Sequence, residues 1–211
     1  MNQETPLFKA IVSGRLEEAV EATRQSLSCQ EDAHSLISDQ MIPAMQEIGM
    51  RFEQGQAFVP ELLMAARAMK GALELVKPTM QNGQSYTLGR VVIGTVYGDL
   101  HDIGKNLVAS MLEGCGFEVV NLGVNVPAER FTAAVIEHNA DILCLSALLT
   151  TTMVNMQKVI EALHEAGIRD KVKVMVGGAP VTSNFAKQIG ADAYSENANE
   201  AVAVAKQLLK C

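Results

Sequence analysis

One short segment of the sequence combines residue types that could bind a metal. His101 lies between Asp99 and Asp102, and Gly98 and Gly104 flank this group. A carboxylate that accepts a hydrogen bond from an imidazole fixes the tautomer of the ring and raises its basicity, as it does around many metal ions. A single histidine does not hold a bare metal ion, but it could supply an axial ligand to a metal already bound by a macrocycle. The alternative is a tight turn in which Asp102 caps a helix and His101 is solvated.

Two further segments could form a binding pocket together with this loop. The segment from Ser146 to Thr152 is rich in hydroxyl side chains, which is also typical of a helix cap that Thr152 alone could provide. Gly177 and Gly178 have no side chains, so a flat ligand could approach the backbone there. Each feature taken singly has a structural explanation. We expect all three at the same edge of one sheet, with the histidine at the mouth of the pocket.

The first half of the chain has the periodicity of amphipathic helices. Its apolar residues predict helices over residues 7–12, 15–28, 32–53 and 60–76. Pro43 predicts a kink or a break inside the third helix, and Pro60 is placed in the first turn of the fourth. Four helices joined by short loops favour an antiparallel bundle.

The period changes after a polar stretch, residues 81–85, which we interpret as a linker. Short β-branched runs then alternate with helical segments. Strands are predicted over residues 90–95, 118–122, 142–146, 173–176 and 193–194, and helices over 103–115, 128–139, 152–166, 183–189 and 200–209. This alternation predicts an α/β fold, in which a helical bundle (residues 1–87) precedes a flavodoxin-like, Rossmann-like domain with a five-stranded parallel sheet (residues 88–211).

The composition excludes several classes of function. The 211 residues carry a formal net charge of −7, so we expect no nucleic-acid partner, because phosphate contacts need clustered Lys and Arg. No apolar stretch approaches the roughly 20 residues that a membrane span needs, and the first residues do not resemble a secretory signal. A soluble cytoplasmic protein with no membrane partner is therefore expected. The four cysteines and four histidines are scattered, which argues against a disulfide framework and a multi-histidine metal site.

The motifs at the predicted sheet edge resemble those of a known family. The motif Asp-x-His-x-x-Gly at residues 99–104, followed by Ser-x-Leu at 146–148 and Gly-Gly at 177–178, resembles the cobalamin-binding signature. Residues 98–106 are similar to the corrinoid module of methionine synthase and equally to the small corrinoid proteins of methyl-transfer systems. The resemblance covers nearly the whole chain, with the motifs in the right order.

The resemblance implies a bound corrinoid, cobalamin or a related cobalt macrocycle, held between the helical cap and the sheet. It implies that His101 replaces the dimethylbenzimidazole of the cofactor as the lower cobalt ligand and that Asp99 hydrogen-bonds His101. Thr152 stands where the methionine synthase module has the serine that completes this relay. These three residues are the expected catalytic residues, and His101 is the expected metal ligand.

Other residues match positions that contact the cofactor in the family. Residues 49–55 and 58–62 resemble the helical cap, in which Phe52 and Val59 match two apolar residues over the upper face of the corrin. Periodicity alone assigns both residues to the bundle core. In the sheet domain, the matched positions lie in the histidine loop, near the buried nucleotide tail or along its channel, and they are Gly98, Leu100, Asp102, Gly104, Ser146, Leu148, Thr150, Gly177, Gly178 and Ala198.

The function implied by the resemblance is that of a methyl carrier that cycles between Co(I) and methyl-Co(III), with methylcobalamin as the loaded form. A substrate-specific methyltransferase would supply the methyl group, a second methyltransferase would pass it to tetrahydrofolate or a thiol such as coenzyme M, and a reductive activase would restore the cobalt. The chain would then be a cofactor-bearing component and not a complete enzyme. Methanol, methylamines, betaines and aryl methyl ethers remain possible donors. Two alternatives are the cobalamin subunit of an adenosylcobalamin-dependent mutase and a cobalamin-based light sensor or regulator. The chain has no tryptophan and no basic module, which argues against the sensor.

Overall fold

The computed structural model of the protein describes residues 5–80 and 87–210, so the predicted linker at 81–85 lies outside the described residues. The chain divides into two compact units. One comprises Met1–Thr87 with the short stretch Glu113–Gly116, and the other comprises Leu88–Leu112 with Phe117–Cys211.

The first unit is helical, as the periodicity predicts. Its helices are α1 (Pro6–Val12), α2 (Leu16–Ser28), α3 (Ala33–Leu36), α4 (Ile42–Glu53) and α5 (Val59–Val76), and a 3₁₀ turn follows at Lys77–Thr79. Helix α2 packs on α1 and α5, and α4 packs on α1 and α5. Large apolar side chains fill the interior, and the fully buried ones include Leu7, Ile11, Leu36, Ile37, Met41, Met45, Leu62 and Met69.

Pro43 changes the geometry of the helix that contains it. The kink or break predicted inside residues 32–53 is instead a π turn, Ile37–Met41, which joins α3 to α4. Proline has no backbone N–H and cannot donate to the carbonyl four residues earlier. The turn before it widens, with the N–H of Ile42 donating to the carbonyl of Ile37, five residues back. The chain therefore continues as a helix through the proline.

The second unit is a parallel α/β sheet, as predicted. Its strands are β1 (Arg90–Thr95), β2 (Glu118–Asn121), β3 (Ile142–Ser146), β4 (Lys173–Gly177) and β5 (Ala193–Ser195). Their order is β2-β1-β3-β4-β5, and all neighbouring pairs are parallel. The helices are α6 (Ile103–Gly114), α7 (Ala128–His138), α8 (Thr150–Met153), α9 (Asn155–Glu165), α10 (Ser183–Gln188) and α11 (Ala198–Leu209), with a 3₁₀ turn at Arg169–Lys171.

The hydrophobic core of this unit lies on the three central strands. β1, β3 and β4 are buried along almost their whole length, as expected for parallel strands covered on both faces. Phe131 of α7 is fully buried and lies directly over Gly94 of β1, where a Cβ atom would come within 2.6 Å of the ring. Core packing thus fixes β1, whose carboxyl end carries the loop with His101.

Two helices of the second unit begin two residues earlier than predicted, whereas its other helix boundaries agree to within one residue. The segment predicted as one helix over 152–166 begins earlier, at Thr150, and is divided at Val154 into α8 and α9. Helix α11 begins at Ala198 and not at residue 200, because the side chain of Asn197 accepts a hydrogen bond from the N–H of Glu200 at 2.9 Å and so caps the helix.

Within residues 5–80 and 87–210, none of the helices is both long enough and apolar enough to cross a membrane.

The sheet edge predicts a large difference between two glycine substitutions. Gly178 and Gly190 both have positive φ, at +126° and +78°. A Cβ at Gly178 would lie 1.9 Å from the carbonyl oxygen of Ala147, whereas a Cβ at Gly190 would have nothing within 4 Å. Gly190→Ala should lower the free energy of unfolding by about 1–2 kcal/mol, the usual cost of a left-handed alanine. Gly178→Ala should cost at least about 2 kcal/mol more because of overpacking. Urea unfolding measures both, and equal costs would show that β3 and β4 do not approach each other as described.

Candidate functional site

The site is built around a carboxylate that is completely buried. Beyond β1 the chain turns through Gly98, which has φ of +82°, and places Asp99 at 0% exposure. Oδ1 of Asp99 accepts hydrogen bonds from Nδ1 of His101 at 2.7 Å and from the His101 backbone N–H at 3.1 Å. Oδ2 accepts from the hydroxyl of Thr152 at 2.6 Å and from the backbone N–H of Leu148 at 2.8 Å. Four donors therefore surround one buried carboxylate.

These donors decide the ionisation of Asp99. Burial by itself raises the pKa of a carboxyl group, because it disfavours the charged form. The hydrogen bonds from the Thr152 hydroxyl, the Leu148 amide, and the amide and ring of His101 outweigh burial and hold the pKa of Asp99 well below its ordinary value. Asp99 is therefore an anion at neutral pH.

The anion determines how His101 presents its ring. Because an ionised carboxylate only accepts hydrogen bonds, Nδ1 of His101 must be the donor. In the neutral ring the lone pair is then on Nε2, which has no hydrogen-bond partner among the residues that the structure describes. The side chain is 51% exposed, and the hydroxyl of Thr95 donates to the His101 carbonyl at 2.9 Å. The alternative of a merely solvated histidine is wrong, because the ring is held through Nδ1 and leaves Nε2 available.

Asp102, which the same alternative placed as a helix cap, has a different partner. Its Oδ2 accepts from the side-chain amide of Asn106 at 2.9 Å. Asn106 in turn accepts from the ammonium of Lys105 at 2.5 Å, and Lys105 also donates to Asn121 at 2.8 Å. Burial lowers the pKa of Lys105, and the charge of Asp102 opposes this effect. This network attaches the start of α6 to the end of β2.

The loops around His101 expose an unusual amount of apolar surface. Leu100 and Ile103 of the histidine loop are 71% and 86% exposed. Large apolar side chains are normally exposed singly, and a group of them indicates a binding surface. The exposed apolar residues on the loops after β1 and β3, with the residue that separates α8 from α9, are Tyr97, Leu100, Ile103, Leu148, Leu149 and Val154.

Small residues continue this surface along the carboxyl edge of the sheet. A Cβ at Gly104 would meet nothing within 4 Å, so the start of α6 is open there. Ser146, Gly177 and Ser195 pair across β3, β4 and β5 and form one row at the ends of the strands. Gly178 follows this row, and its packing against Ala147 is a reason for glycine that is separate from room for a ligand.

The remaining predicted residues lie at different depths. Thr150 is exposed at the start of α8, and Ala198 is buried at the start of α11. In the helical unit, Phe52 is half-buried near the end of α4 and Val59 is 38% exposed at the start of α5. Helical periodicity predicted that both Phe52 and Val59 lie in the bundle core, and this prediction is wrong for Val59. The position of the two residues over a corrin stays a prediction.

Several residues of these surfaces were not predicted from the sequence. Ser195 was missed because β5 is only three residues long, too short for a clear strand pattern. Tyr97, Ile103, Leu149 and Val154 could have been found as apolar residues in loops at the carboxyl edge. In the helical unit, the exposed apolar residues around the α4–α5 connection also include Met50, Phe58, Leu63 and Met64.

This set of groups fits a metal that arrives inside a macrocycle. Among the described residues there is no group of three or more His, Cys, Asp or Glu side chains that could hold a metal ion. His101 offers one free imidazole nitrogen, and the exposed apolar side chains around its loop suit the faces of a large, flat ligand. The fold and the site together define a protein of the cobalamin-binding class.

Comparison with known proteins agrees with this class. Family models described as B12 binding domain match residues 89–203 and residues 3–77. The chain is 48% identical to trimethylamine corrinoid protein 2 of Methanosarcina mazei, over 91% of this chain and 89% of the relative. It is 47% identical to a dimethylamine corrinoid protein of Methanosarcina barkeri, over 96% of this chain and 95% of the relative. The chain therefore belongs to the B12-binding family of corrinoid proteins.

Solved structures show the same relationship. A cobalamin-binding protein from Desulfitobacterium hafniense is similar with a TM-score of 0.81 and 32% identity, covering 96% of each chain. The methanol:cobalamin methyltransferase complex of Methanosarcina barkeri contains a similar chain, with a TM-score of 0.85 and 34% identity over 97% of this chain and 78% of that one. The predicted fold, corrinoid cofactor and relationship to methyl-transfer corrinoid proteins are confirmed, and neither the mutase nor the sensor alternative is favoured.

The buried carboxylate predicts a specific pH dependence of stability. The pKa of Asp99 is lower in the folded protein than in the unfolded chain, where a carboxyl group titrates near pH ~3.9. Its ionised form therefore stabilises the fold above that pH, and this contribution is lost as the pH falls below it. In the protein without corrinoid, Asp99→Asn should lower the free energy of unfolding by roughly 2–3 kcal/mol between about pH 5 and 8. The difference from wild type should shrink below about pH 4.

Asp32→Asn provides the control for this measurement. Asp32 is an exposed helix cap whose carboxylate accepts from the N–H of Ser35 at 2.9 Å, and asparagine caps a helix equally well. Asp32→Asn should therefore stay close to wild type. Urea unfolding across the pH range would contradict the assignment if Asp99→Asn were as stable as wild type at pH 7, or if the difference did not shrink in acid.

Proposed function

We propose that this chain is the methyl carrier of a multi-component methyltransferase system. The observation that carries the proposal is the geometry of His101, whose Nδ1 is held by a buried anion while Nε2 has no partner among the described residues. An imidazole fixed in this way is suited to be the lower ligand of a cobalt ion. A bound corrinoid supplies the cobalt centre that accepts and releases the methyl group.

The contribution of the chain is to orient the ring and to fix its tautomer. The Thr152 hydroxyl and the Leu148 amide keep Asp99 ionised and in place. The carboxylate of Asp99, 2.7 Å from Nδ1 of His101, then keeps the ring in the tautomer that presents Nε2. Nε2 would be the nitrogen that binds the cobalt of a bound corrinoid.

The other predicted contacts divide between the two units. We assign Gly98, Leu100, Asp102 and Gly104 to the lower face beside the histidine. The residues assigned to the nucleotide tail and its channel are Ser146, Leu148, Thr150, Gly177, Gly178 and Ala198. Phe52 and Val59 are assigned to the upper face. The exposure of Val59 and the half-burial of Phe52 support this assignment, because a residue of a closed core would be buried.

The partners in the proposal are two methyltransferases. One would transfer a methyl group to the bound corrinoid, the other would pass it to tetrahydrofolate or a thiol, and a reductive activase would return oxidised, inactive cobalt to Co(I). The solved methanol:cobalamin methyltransferase complex supports a methyltransferase partner. The names of the trimethylamine and dimethylamine corrinoid proteins support a methylated amine as the donor. We place the choice of donor in the partner enzyme, because the described residues form a helical unit and a parallel-sheet unit and no substrate-binding barrel.

His101→Ala tests the proposed function. The purified variant, loaded with methylcobalamin, should retain the cofactor through its other contacts but show the absorption spectrum of a form without a nitrogen lower ligand. Its rate of methyl transfer from a methylated amine, with the donor methyltransferase present, should fall at least about tenfold.

His138→Ala is the matched control, because His138 ends α7, away from the histidine loop in sequence, and forms an ion pair with its neighbour Glu137. This variant should keep the wild-type spectrum and rate. A wild-type protein that cannot be loaded with any corrinoid would refute the proposal. A His101→Ala protein with an unchanged spectrum would refute the ligand assignment.

A further inference from the structure

The main chain just before Asp99 is fixed by two asparagine side chains from other loops. Asn125 follows β2 and accepts a hydrogen bond at Oδ1 from the N–H of Gly98 at 2.8 Å. Its own N–H donates to the carbonyl of Asp99 at 2.9 Å. Asn155, the first residue of α9, donates from Nδ2 to the carbonyl of Tyr97 at 2.8 Å. Three consecutive residues, 97 to 99, are thus held from two sides.

Both contacts occur where the backbone needs support. Asn125 has a positive φ of +54°, which costs free energy in a residue other than glycine and persists when neighbouring groups hold it. Gly98, at +82°, adopts its turn freely and therefore has little conformational preference of its own to fix the main chain. The break between α8 and α9 at Val154 places Asn155 beside the histidine loop. Among the described residues, neither asparagine forms a hydrogen bond with the side chain of Asp99, His101 or Thr152. Their hydrogen bonds to this loop go to main-chain atoms.

We propose that Asn125 and Asn155 are positioning residues for the lower ligand. They fix the main chain of Asp99 so that its carboxylate meets all four donors, and they would keep it there whether or not His101 binds a metal. The expected effect of these residues on the cobalt ligand rests on the proposed function. The hydrogen bonds of Asn125 and Asn155 to residues 97–99, which we call the clamp, belong to the chain itself and can be tested without a corrinoid.

The two asparagines use opposite ends of their amides, which gives a sharp test. The partners are a backbone N–H and a backbone carbonyl, so the orientation of each amide follows from its partner. Aspartate retains an acceptor oxygen but has no donor. Asn125→Asp should therefore preserve its contact, whereas Asn155→Asp should lose it. If Asn155 served only to start α9, Asn155→Asp should be harmless, since aspartate at the start of a helix is favourable.

The measurement is hydrogen exchange of the Leu148 and His101 amides in the protein without corrinoid. Both amides donate to Asp99, so their protection reports whether the carboxylate stays in place. Asn125→Ala and Asn155→Asp should each speed exchange by about fivefold, the effect of one net hydrogen bond. Asn125→Asp should remain within about twofold of wild type.

Asn139→Ala is the matched control, because Asn139 is also exposed and left-handed, with φ of 47°, but ends α7 and has no contact with the histidine loop. It should leave both amides at the wild-type rate. The inference is overturned if Asn125→Ala exchanges like wild type, if Asn139→Ala is equally fast, or if the two aspartate variants behave alike.

A second measurement links the clamp to the metal. In protein loaded with methylcobalamin, Asn125→Ala and Asn155→Asp should increase the fraction whose spectrum lacks a nitrogen lower ligand, and Asn139→Ala should not. Loosened amides with an unchanged spectrum would overturn their role as positioning residues. Failure of the wild-type protein to take up a corrinoid would refute the proposed function and leave the exchange result standing.

Discussion

The burial of one negative charge organises the carboxyl edge of this sheet. Transfer of a carboxylate out of water costs several kcal/mol, and Asp99 is completely buried. The charge is tolerated because four donors converge on it from two different loops. Removal of any one donor leaves an under-satisfied anion, so the conformations of both loops depend on each other. The imidazole of His101 is one of those donors, so its orientation is fixed by the same hydrogen bonds that stabilise the buried charge.

The strand order explains how the donors come together. β3 lies directly beside β1, so the loop that follows β3 supplies the Leu148 amide and the Thr152 hydroxyl to the loop that follows β1. β2 lies on the other side of β1, and the turn after it brings Asn125 to the same loop. Phe131 packs over Gly94 and holds β1 in register beneath them. A parallel sheet with this order thus brings to Asp99 a backbone N–H and a hydroxyl that lie 49 and 53 residues further along the chain.

The sequence predicted what depends on local pattern. β1 and β3 were predicted with their observed bounds, because both are short β-branched or apolar runs between polar turns. The relay of Asp99, His101 and Thr152 was expected from the family resemblance, and the structure brings these residues into contact. The structure adds the physical reason for these contacts, which is that Asp99 is completely buried. Periodicity and composition could not show this burial.

The features that sequence reasoning missed depend on backbone geometry and on contacts that the pattern of apolar residues does not determine. The π turn before Pro43 was expected as a kink, because the chain can absorb a missing N–H in more than one way. The division of the helix after Thr152 follows from contacts of that segment with the β1 loop. Periodicity predicted that Val59 is buried in the bundle core, but its side chain is exposed. The spacing of apolar residues shows which of them share a helix face and does not show what that face contacts.

We propose that Nε2 of His101, oriented by Asp99, is the nitrogen that binds the cobalt of the corrinoid. The most direct test is electron paramagnetic resonance of the Co(II) form, compared between protein of natural isotope content and protein grown with ¹⁵N-labelled histidine. A coordinated ¹⁴N splits the cobalt lines into triplets, and ¹⁵N splits them into doublets, because their nuclear spins differ. We expect the triplets to become doublets on labelling. Triplets that persist in the labelled protein would show that the nitrogen comes from the corrinoid itself and that His101 is not the cobalt ligand.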